Sequence, residues 1–226
     1  MKTFKVRLEI KGKFVDIGEL LCDGANRARF VYGSEYLARR DAVPVSVNLP
    51  LQEAPFSYEE TAIYFEGLLP EGFTRSSIAQ WLKVNEDDYL GILIGLGAEC
   101  LGAVQIVDGD YHEESHYETL GLDDVRQLAS EGATKSAALM METHLSLAGA
   151  SGKTGLYYDG TTWYLPKGLA ASTHIVKQSH VRLKHIVANE QLCLLTAKRL
   201  GINTVDSFIV DFGNGAEGDV LFATKR

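Results

Sequence analysis

Two strand-like runs joined by an Asp-Gly turn constrain the fold of this chain more than any other feature. They occupy residues 155–165, and Asp159-Gly160 between them is a dipeptide that fits a type I′ hairpin turn. A hairpin makes its two strands antiparallel, so we expect an antiparallel sheet in this half. Further strands are expected at residues 173–177, 204–212 and 219–224, the last two joined across the glycine-rich residues 213–218.

The first half begins with strands and changes to helices near Ser57. Apolar side chains alternate with polar ones at Phe4, Val6, Leu8 and Ile10, which is the period of a half-buried strand. From Ser57, which can cap a helix, the spacing of apolar residues becomes helical. We expect helices at residues 57–69, 74–82 and 89–96, and a strand at residues 101–107.

Apolar residues become scarce at residues 108–118, and this marks the expected domain boundary. We predict a β-rich amino-terminal subdomain with short helices over residues 1–108, a linker with a short helix near residues 123–130 over 109–140, and a second domain over 141–226. Residues 187–200 are apolar on almost every side, so this helix is expected to be buried between other elements. The predicted fold class is α+β.

Composition limits the function. The net charge of -8 argues against a general nucleic-acid binder, since phosphate contacts need a surplus of Lys and Arg. No stretch approaches the roughly 20 consecutive apolar residues of a membrane span. The start MKTFKVRLEIKGK lacks the apolar core of a signal peptide, so we expect a cytoplasmic protein with no membrane partner.

Cysteine and histidine positions give little support for a metal site. Cys22, Cys100 and Cys193 are far apart and form no CxxC pair, so neither a disulfide framework nor a thiolate site is indicated. His112 and His116 are four residues apart and could bind a metal from one helix face. Their acidic, polar surroundings favour a solvated linker, and we assign no metal ligand.

The order of elements after residue 145 matches the nucleotide-binding lobe of a protein kinase. A small-residue loop is followed by a hairpin, a strand ending in Lys177, a helix with Glu190 near its start, and two more strands. In kinases a loop covers the phosphates, a strand lysine holds them and a helix glutamate steadies the lysine. Small residues in the loop let backbone N–H groups approach phosphate oxygens.

Each of these features also has an ordinary structural explanation: a tight turn, a solvated strand end and an acid at a helix start. The loop does not fit the Walker A spacing, because Leu147 stands five residues before Gly152, and so a P-loop NTPase is not supported. Only the order of the features makes the kinase interpretation competitive.

Several separated motifs resemble the HipA family, serine/threonine kinases that are the toxins of type II toxin–antitoxin modules. The motifs are Ser146-Leu-Ala-Gly-Ala followed by Lys153, Trp163-Tyr-Leu-Pro-Lys-Gly, Ser172-Thr-His-Ile-Val-Lys177, Asn189-Glu190, Pro44-Val-Ser-Val-Asn-Leu-Pro-Leu, Tyr64-Phe-Glu-Gly-Leu-Leu-Pro-Glu-Gly and Gly102-Ala-Val-Gln. The resemblance covers nearly the whole chain. It implies a kinase-like N-lobe, an antiparallel sheet with one buried helix, after the amino-terminal subdomain.

The resemblance also implies roles for individual residues. Lys177 would be the strand lysine that reaches the phosphates of ATP, and Glu190 its partner. Ser146 falls where the family carries a serine that the kinase phosphorylates on itself, which pushes the loop out of the site. The residues that would cradle the phosphates are Leu147, Ala148, Gly149, Ala150, Ser151, Gly152 and Lys153. Here the chain departs from the family, which usually has Gln and then Pro or Glu where Ser151-Gly152 stands.

Cofactors and partners follow from the same resemblance. It implies ATP and Mg, a protein substrate that is a tRNA-charging enzyme, and a HipB-like helix-turn-helix antitoxin dimer that docks on the amino-terminal half. DNA would be bound only through that antitoxin. Family members continue past a motif like residues 221–226 into a helical lobe with the catalytic and magnesium-binding aspartates, so we expect the chain by itself to be inactive. The alternatives are a non-catalytic module that docks an antitoxin or a separate kinase half, and a remnant without function.

Overall fold

The computed structural model describes residues 2–11, 13–96, 103–109, 115–131, 138–139, 152–168, 170–179, 184–213 and 217–226. These residues fall into two compact units, one containing the described residues up to 109 and the other those from 115 onward. Both units combine an antiparallel sheet with helices, so the predicted α+β class is confirmed.

The first unit contains a four-stranded sheet in the order β3-β2-β1-β4. The alternation predicted for the first strand is confirmed, because Phe4, Val6 and Leu8 point into the core. Gly18 allows the second and third strands to approach, since a Cβ at this position would lie 2.1 Å from the Val31 carbonyl oxygen. The strands are β1 Lys2–Ile10, β2 Lys13–Gly24, β3 Arg27–Tyr32 and β4 Val104–Val107.

Four helices complete the first unit: α1 Ser34–Leu37, α2 Tyr58–Glu66, α3 Gly72–Leu82 and α4 Tyr89–Leu96. The predicted cap at Ser57 is confirmed, because its side chain accepts the Glu60 N–H while the Glu60 carboxylate accepts the Ser57 N–H. The short α1 was not predicted. With only four residues, α1 makes about one helical turn, which is too short for an apolar period to show in the sequence.

The second unit contains a six-stranded antiparallel sheet in the order β5-β7-β6-β8-β10-β9. The strands are β5 His116–Leu120, β6 Lys153–Tyr158, β7 Trp163–Lys167, β8 His174–Gln178, β9 Ser207–Asp211 and β10 Val220–Lys225. A 3₁₀ turn, Glu217–Asp219, leads into β10. All five strands predicted between residues 155 and 224 are present: the two of the hairpin, the strand that carries Lys177, and the two on either side of the glycine-rich stretch.

The predicted hairpin between β6 and β7 is confirmed, but its type I′ turn is wrong. A type I′ turn needs a positive φ at both central residues. Asp159 is not among the described residues with a positive φ, whereas Gly160 has a φ of 104°. Instead, the Asp159 carboxylate accepts the N–H groups of Thr161 and Thr162, each at 2.8 Å, and organises a longer turn.

The short helix predicted near residues 123–130 of the linker is confirmed, but residues 116–131 belong to the second unit and also contain a strand that was not predicted. β5 pairs with β7, and α5, Leu122–Glu131, packs its buried Val125 and Leu128 against one face of the sheet. The helix α5 packs on the sheet because it has an apolar stripe within an otherwise acidic segment. The rest of that core comprises Ala129, Leu139, Leu156, Trp163, Leu165, Val176, Leu221 and Ala223.

The last helix, α6 Ile186–Arg199, was expected to be buried, and this prediction is wrong. Among its described side chains Val187 alone is buried, while Leu192 and Leu195 are exposed. The helix lies on the sheet by one side, so its other apolar side chains face solvent. No helix in the described ranges is long and apolar enough to cross a membrane.

Candidate functional site

Lys177 on β8 and Glu190 on α6 form an ion pair. Val176 points into the core beneath α5, so the next residue, Lys177, projects from the opposite face of the sheet. There its Nζ lies 2.5 Å from the Glu190 Oε1. The side chains are 25% and 36% exposed, so the pair is partly shielded and still within reach of a ligand.

An aromatic ring lies against the lysine. Phe222 on β10 is directly opposite Lys177, and the Lys177 Nζ lies 5.7 Å from the centre of its ring. Phe222 is fully buried, so its ring is fixed by the packing of the unit. The Glu190 carboxylate and the face of the Phe222 ring both attract the Lys177 ammonium group and hold it at one point of the sheet.

Lys153 brings a second ammonium group to this face. It is the first residue of β6, and it stands directly opposite Lys177 in the β6–β8 ladder. Residues directly opposite each other in antiparallel strands have their side chains on the same face, and like charges in that position repel. Two ammonium groups on one face concentrate positive charge there, and such an arrangement suits an anion such as phosphate.

The residues beside the two lysines on this face are apolar. Gly155 and Ile175 are opposite each other, two residues along β6 and β8 from the lysines, and hence lie on the same face. Gly155 is buried and Ile175 is partly exposed.

Tyrosines continue this face beyond Gly155. Tyr157 follows two residues later on β6, and its ring centre lies 4.4 Å from that of Tyr117 on β5 and 5.7 Å from that of Tyr164 on β7. The face therefore changes along β6 from two lysines to a glycine and then to aromatic rings. Sequence reasoning missed Gly155, Ile175 and Tyr157, although each is an even number of residues from a lysine that it found.

The structure brings some of the predicted site residues together and leaves others undescribed. Lys153, Lys177 and Glu190 meet on one face, and Gly152 is buried immediately before β6. Ser146, Leu147, Ala148, Gly149, Ala150 and Ser151 lie outside the described residues, so their phosphate-cradling and regulatory roles stay predictions.

A magnesium site does not emerge from the described residues. Within them, no three or more His, Cys, Asp or Glu side chains are grouped so that they could hold a metal ion. His116 lies on β5, with its Nε2 3.5 Å from the Glu118 Oε1, while His112 and Cys100 lie outside the described residues. Cys22 and Cys193 are free thiols, and burial raises the pKa of Cys22.

Two family models match the chain. The model of the HipA N-terminal domain matches residues 8–107, and that of the HipA-like C-terminal domain matches residues 145–226. Together they include both ends of the site, since Lys153, Lys177 and Glu190 fall within the second match.

Individual relatives agree with the models. The chain is 29% identical over 195 residues to a Sinorhizobium fredii protein, Y4mE, and this match covers 83% of the chain and 46% of the relative. It is 27% identical over 200 residues to the serine/threonine-protein kinase toxin HipA of Shewanella oneidensis, covering 87% of the chain and 45% of that relative.

A solved structure matches nearly the whole chain. It is the complex of the Shewanella oneidensis MR-1 toxin–antitoxin system HipA, HipB and its operator DNA, with 25% sequence identity and a TM-score of 0.76. The match covers 99% of this chain and 50% of the solved one. The chain thus spans about half the length of these relatives.

Proposed function

Since this chain belongs to the HipA family of toxin kinases, we propose that its second unit binds ATP for a serine/threonine protein kinase. The single observation that carries the proposal is the Lys177–Glu190 ion pair at 2.5 Å. A strand lysine fixed by a helix glutamate is the part of a kinase N-lobe that positions the phosphates of ATP. The likeness of the Shewanella HipA structure to nearly all of this chain supports it further.

The nucleotide would lie along the face that bears the ion pair. The phosphates would lie between Lys153 and Lys177, whose ammonium groups supply positive charge on both sides. The adenosine would then extend over Gly155 and Ile175 toward Tyr157. Glu190 would hold the Lys177 ammonium in place, so that the phosphates meet a fixed charge.

Phosphoryl transfer is proposed for the whole kinase. ATP supplies the transferred phosphoryl group, and the residues of this chain bind and orient it. By family resemblance the substrate would be a tRNA-charging enzyme and Mg would accompany ATP. Ser146 would be the regulatory site, because a phosphate of about -2 charge next to a phosphate-binding loop would repel the nucleotide.

Calorimetry with ATP and Mg tests the proposal. The wild-type chain should bind, and Lys177→Ala should weaken binding at least about tenfold, which corresponds to about 1.4 kcal/mol. Lys167→Ala is the matched control, because Lys167 also pairs with a glutamate, Glu118. Lys167 lies on β7 two residues from the core residue Leu165, so it shares the core face of the sheet, which is opposite the face of Lys177. Equal binding by Lys177→Ala and wild type would overturn the proposed site.

A second candidate function is antitoxin docking, which one observation favours: the solved relative is a complex with HipB and operator DNA. We propose that this chain likewise binds a HipB-like helix-turn-helix dimer and meets DNA only through it. The net charge of -8 fits a protein whose antitoxin supplies the basic surface. Mixing the chain with Shewanella HipB should give a complex that retains operator DNA, whereas the chain alone should not. Retention of DNA by the chain alone would contradict this.

A further inference from the structure

Four rings form a cluster on the core face of the second sheet, and one of them is a histidine. The centre of the His174 ring lies 5.7 Å from that of Tyr158 and 5.8 Å from those of Trp163 and Phe208. Tyr158 and Trp163 also stack on each other at 4.3 Å. The four residues, which we call the ring cluster, come one each from β6, β7, β8 and β9: Tyr158, Trp163, His174 and Phe208. The ring cluster therefore joins four of the six strands, including the two that carry the lysines of the candidate site.

The Nδ1 atom of His174 completes a chain of hydrogen bonds. The Tyr158 N–H donates to the Thr173 Oγ1 at 2.9 Å, and the Thr173 Oγ1 lies 2.9 Å from the His174 Nδ1. A threonine hydroxyl has one hydrogen to donate, and a ring nitrogen without a proton accepts it. We assign the second bond as Thr173 O–H to Nδ1, which places the proton of the neutral ring on Nε2. A ring protonated on both nitrogens would leave the Thr173 hydrogen without this acceptor.

The surroundings of His174 disfavour a positive charge. The residue is 9% exposed, and burial lowers the pKa of its imidazole below the ordinary value of 6.5. The Lys225 ammonium, on the residue of β10 directly opposite, lowers this pKa further. Of the three neighbouring rings only Tyr158 has a titratable group, a hydroxyl that donates to the Gly160 carbonyl oxygen at 2.9 Å. Among the described residues no carboxylate compensates a charge on this ring.

We propose that His174 is an acid-sensitive switch built into the second unit. While the ring is neutral, it accepts the Thr173 hydroxyl and packs among the other three rings. A proton taken from solvent onto Nδ1 breaks that hydrogen bond and puts a positive charge into the ring cluster, opposite Lys225. The ring cluster then loosens, and with it the pairing of β6 with β8 that sets Lys153 opposite Lys177. This switch does not depend on ATP binding.

Folding of the second unit should become less favourable as the pH falls below 6.5. The unfolded chain takes up a proton at His174 near pH 6.5, whereas the folded chain takes it up only at lower pH. The contribution of the neutral ring to stability is therefore full above pH 6.5 and is lost as the pH falls below it. Carboxyl groups ordinarily titrate near pH 4, so the range from about pH 8 to about pH 5 isolates the effect of histidines.

Thermal unfolding followed by tryptophan fluorescence tests the switch. Trp163 belongs to the ring cluster, and the other tryptophan, Trp81, is 49% exposed, so Trp81→Phe makes the fluorescence report on the ring cluster alone. In this background the test variant is His174→Gln, whose side chain stays neutral and can still accept the Thr173 hydroxyl. The matched control is His116→Gln, because His116 lies on β5 of the same unit with its side chain 57% exposed.

From about pH 8 to about pH 5, the Tm of the parent and that of His116→Gln should fall together, and the Tm of His174→Gln should fall at least about 4 °C less. Equal falls in all three proteins would overturn the proposal. Nitrogen NMR of the unsubstituted chain gives a second test that does not depend on a variant that folds. The His174 Nδ1 should carry no proton at about pH 7, and the ring should take up its second proton below pH 6.5. A protonated Nδ1 at neutral pH, or uptake at or above pH 6.5, would equally overturn the switch.

Discussion

At the scale of single residues, Glu190 acts through Lys177 and is therefore a positioning residue. Glu190→Gln keeps the shape of the side chain and removes its charge, so the Lys177 ammonium loses a charge-assisted partner. We expect ATP to bind about fivefold more weakly, close to 1 kcal/mol. Calorimetry checks this, and Glu190→Asp, which restores the charge, should recover part of the affinity. No difference between the three proteins would contradict the positioning role.

Tyr89 offers a residue-scale test of the first unit. It is 3% exposed, and no described residue is a hydrogen-bond partner of its hydroxyl. Removing an unsatisfied buried polar group relieves a desolvation cost, so Tyr89→Phe should raise the free energy of unfolding by about 1 kcal/mol. Urea denaturation measures it, and a loss of stability would mean that the hydroxyl is satisfied.

The same residue predicts a dependence on alkaline pH. Burial raises the pKa of Tyr89 to about 12, above its ordinary value of 10.0. A raised pKa in the folded state means that stability is full below the unfolded pKa and falls as pH rises toward the folded one. The advantage of Tyr89→Phe over wild type should therefore grow between pH 10.0 and about 12.

Lys177 and Glu190 could be predicted from the sequence, because their residue types suit a kinase site and their order along the chain matches that of a kinase N-lobe. It missed Gly155 and Ile175, whose importance comes from register: both lie on the lysine face only because β6 and β8 pair residue 153 with 177. Register is set by long-range pairing, which alternation within one strand does not specify.

At the scale of elements, one threonine joins α2 to β3. The Thr61 hydroxyl accepts the Phe30 N–H at 3.0 Å and donates to the Ser57 carbonyl at 2.8 Å, and Thr61 is fully buried. Thr61→Val has nearly the same shape but leaves the Phe30 N–H without its acceptor, so it should lower the free energy of unfolding by about 2 kcal/mol. Thr61→Ser keeps the hydroxyl and should cost less. Chemical denaturation of the two variants ranks their stabilities, and a Thr61→Ser variant that is less stable than Thr61→Val would contradict this role of the hydroxyl.

The hairpin turn predicts an acid-pH effect. N–H groups of Thr162 and Thr161, with the hydroxyls of Thr161 and Tyr164, hold the pKa of the Asp159 carboxyl well below its ordinary value. A depressed pKa contributes stability that is present above the unfolded pKa and is lost as pH falls toward the folded one. Asp159→Asn should therefore lower Tm at neutral pH, and the difference should shrink as pH falls below about 4. A difference that does not change with pH would contradict this.

Elements were predicted well where local signals sufficed. The cap at Ser57 and the turn residues of the β6–β7 hairpin are local, and both elements formed. The burial of α6 was mispredicted because the apolar pattern of a helix shows which side chains could be buried, but not how many of them contact other elements.

At the scale of the whole molecule, each of the two units has its own sheet, and the lysine site lies within the second. The matched relatives are about twice as long as this chain. Nucleotide binding by the lysine face of the second sheet can be tested on this chain alone.

The most direct measurement is an amide NMR titration of the isotope-labelled chain with Mg and a non-hydrolysable ATP analogue. If the lysine face binds nucleotide, the largest shift changes should fall on Lys153, Gly155, Ile175, Lys177 and Glu190, and Lys177→Ala should abolish them. Shift changes that avoid these residues, or that survive Lys177→Ala unchanged, would contradict it.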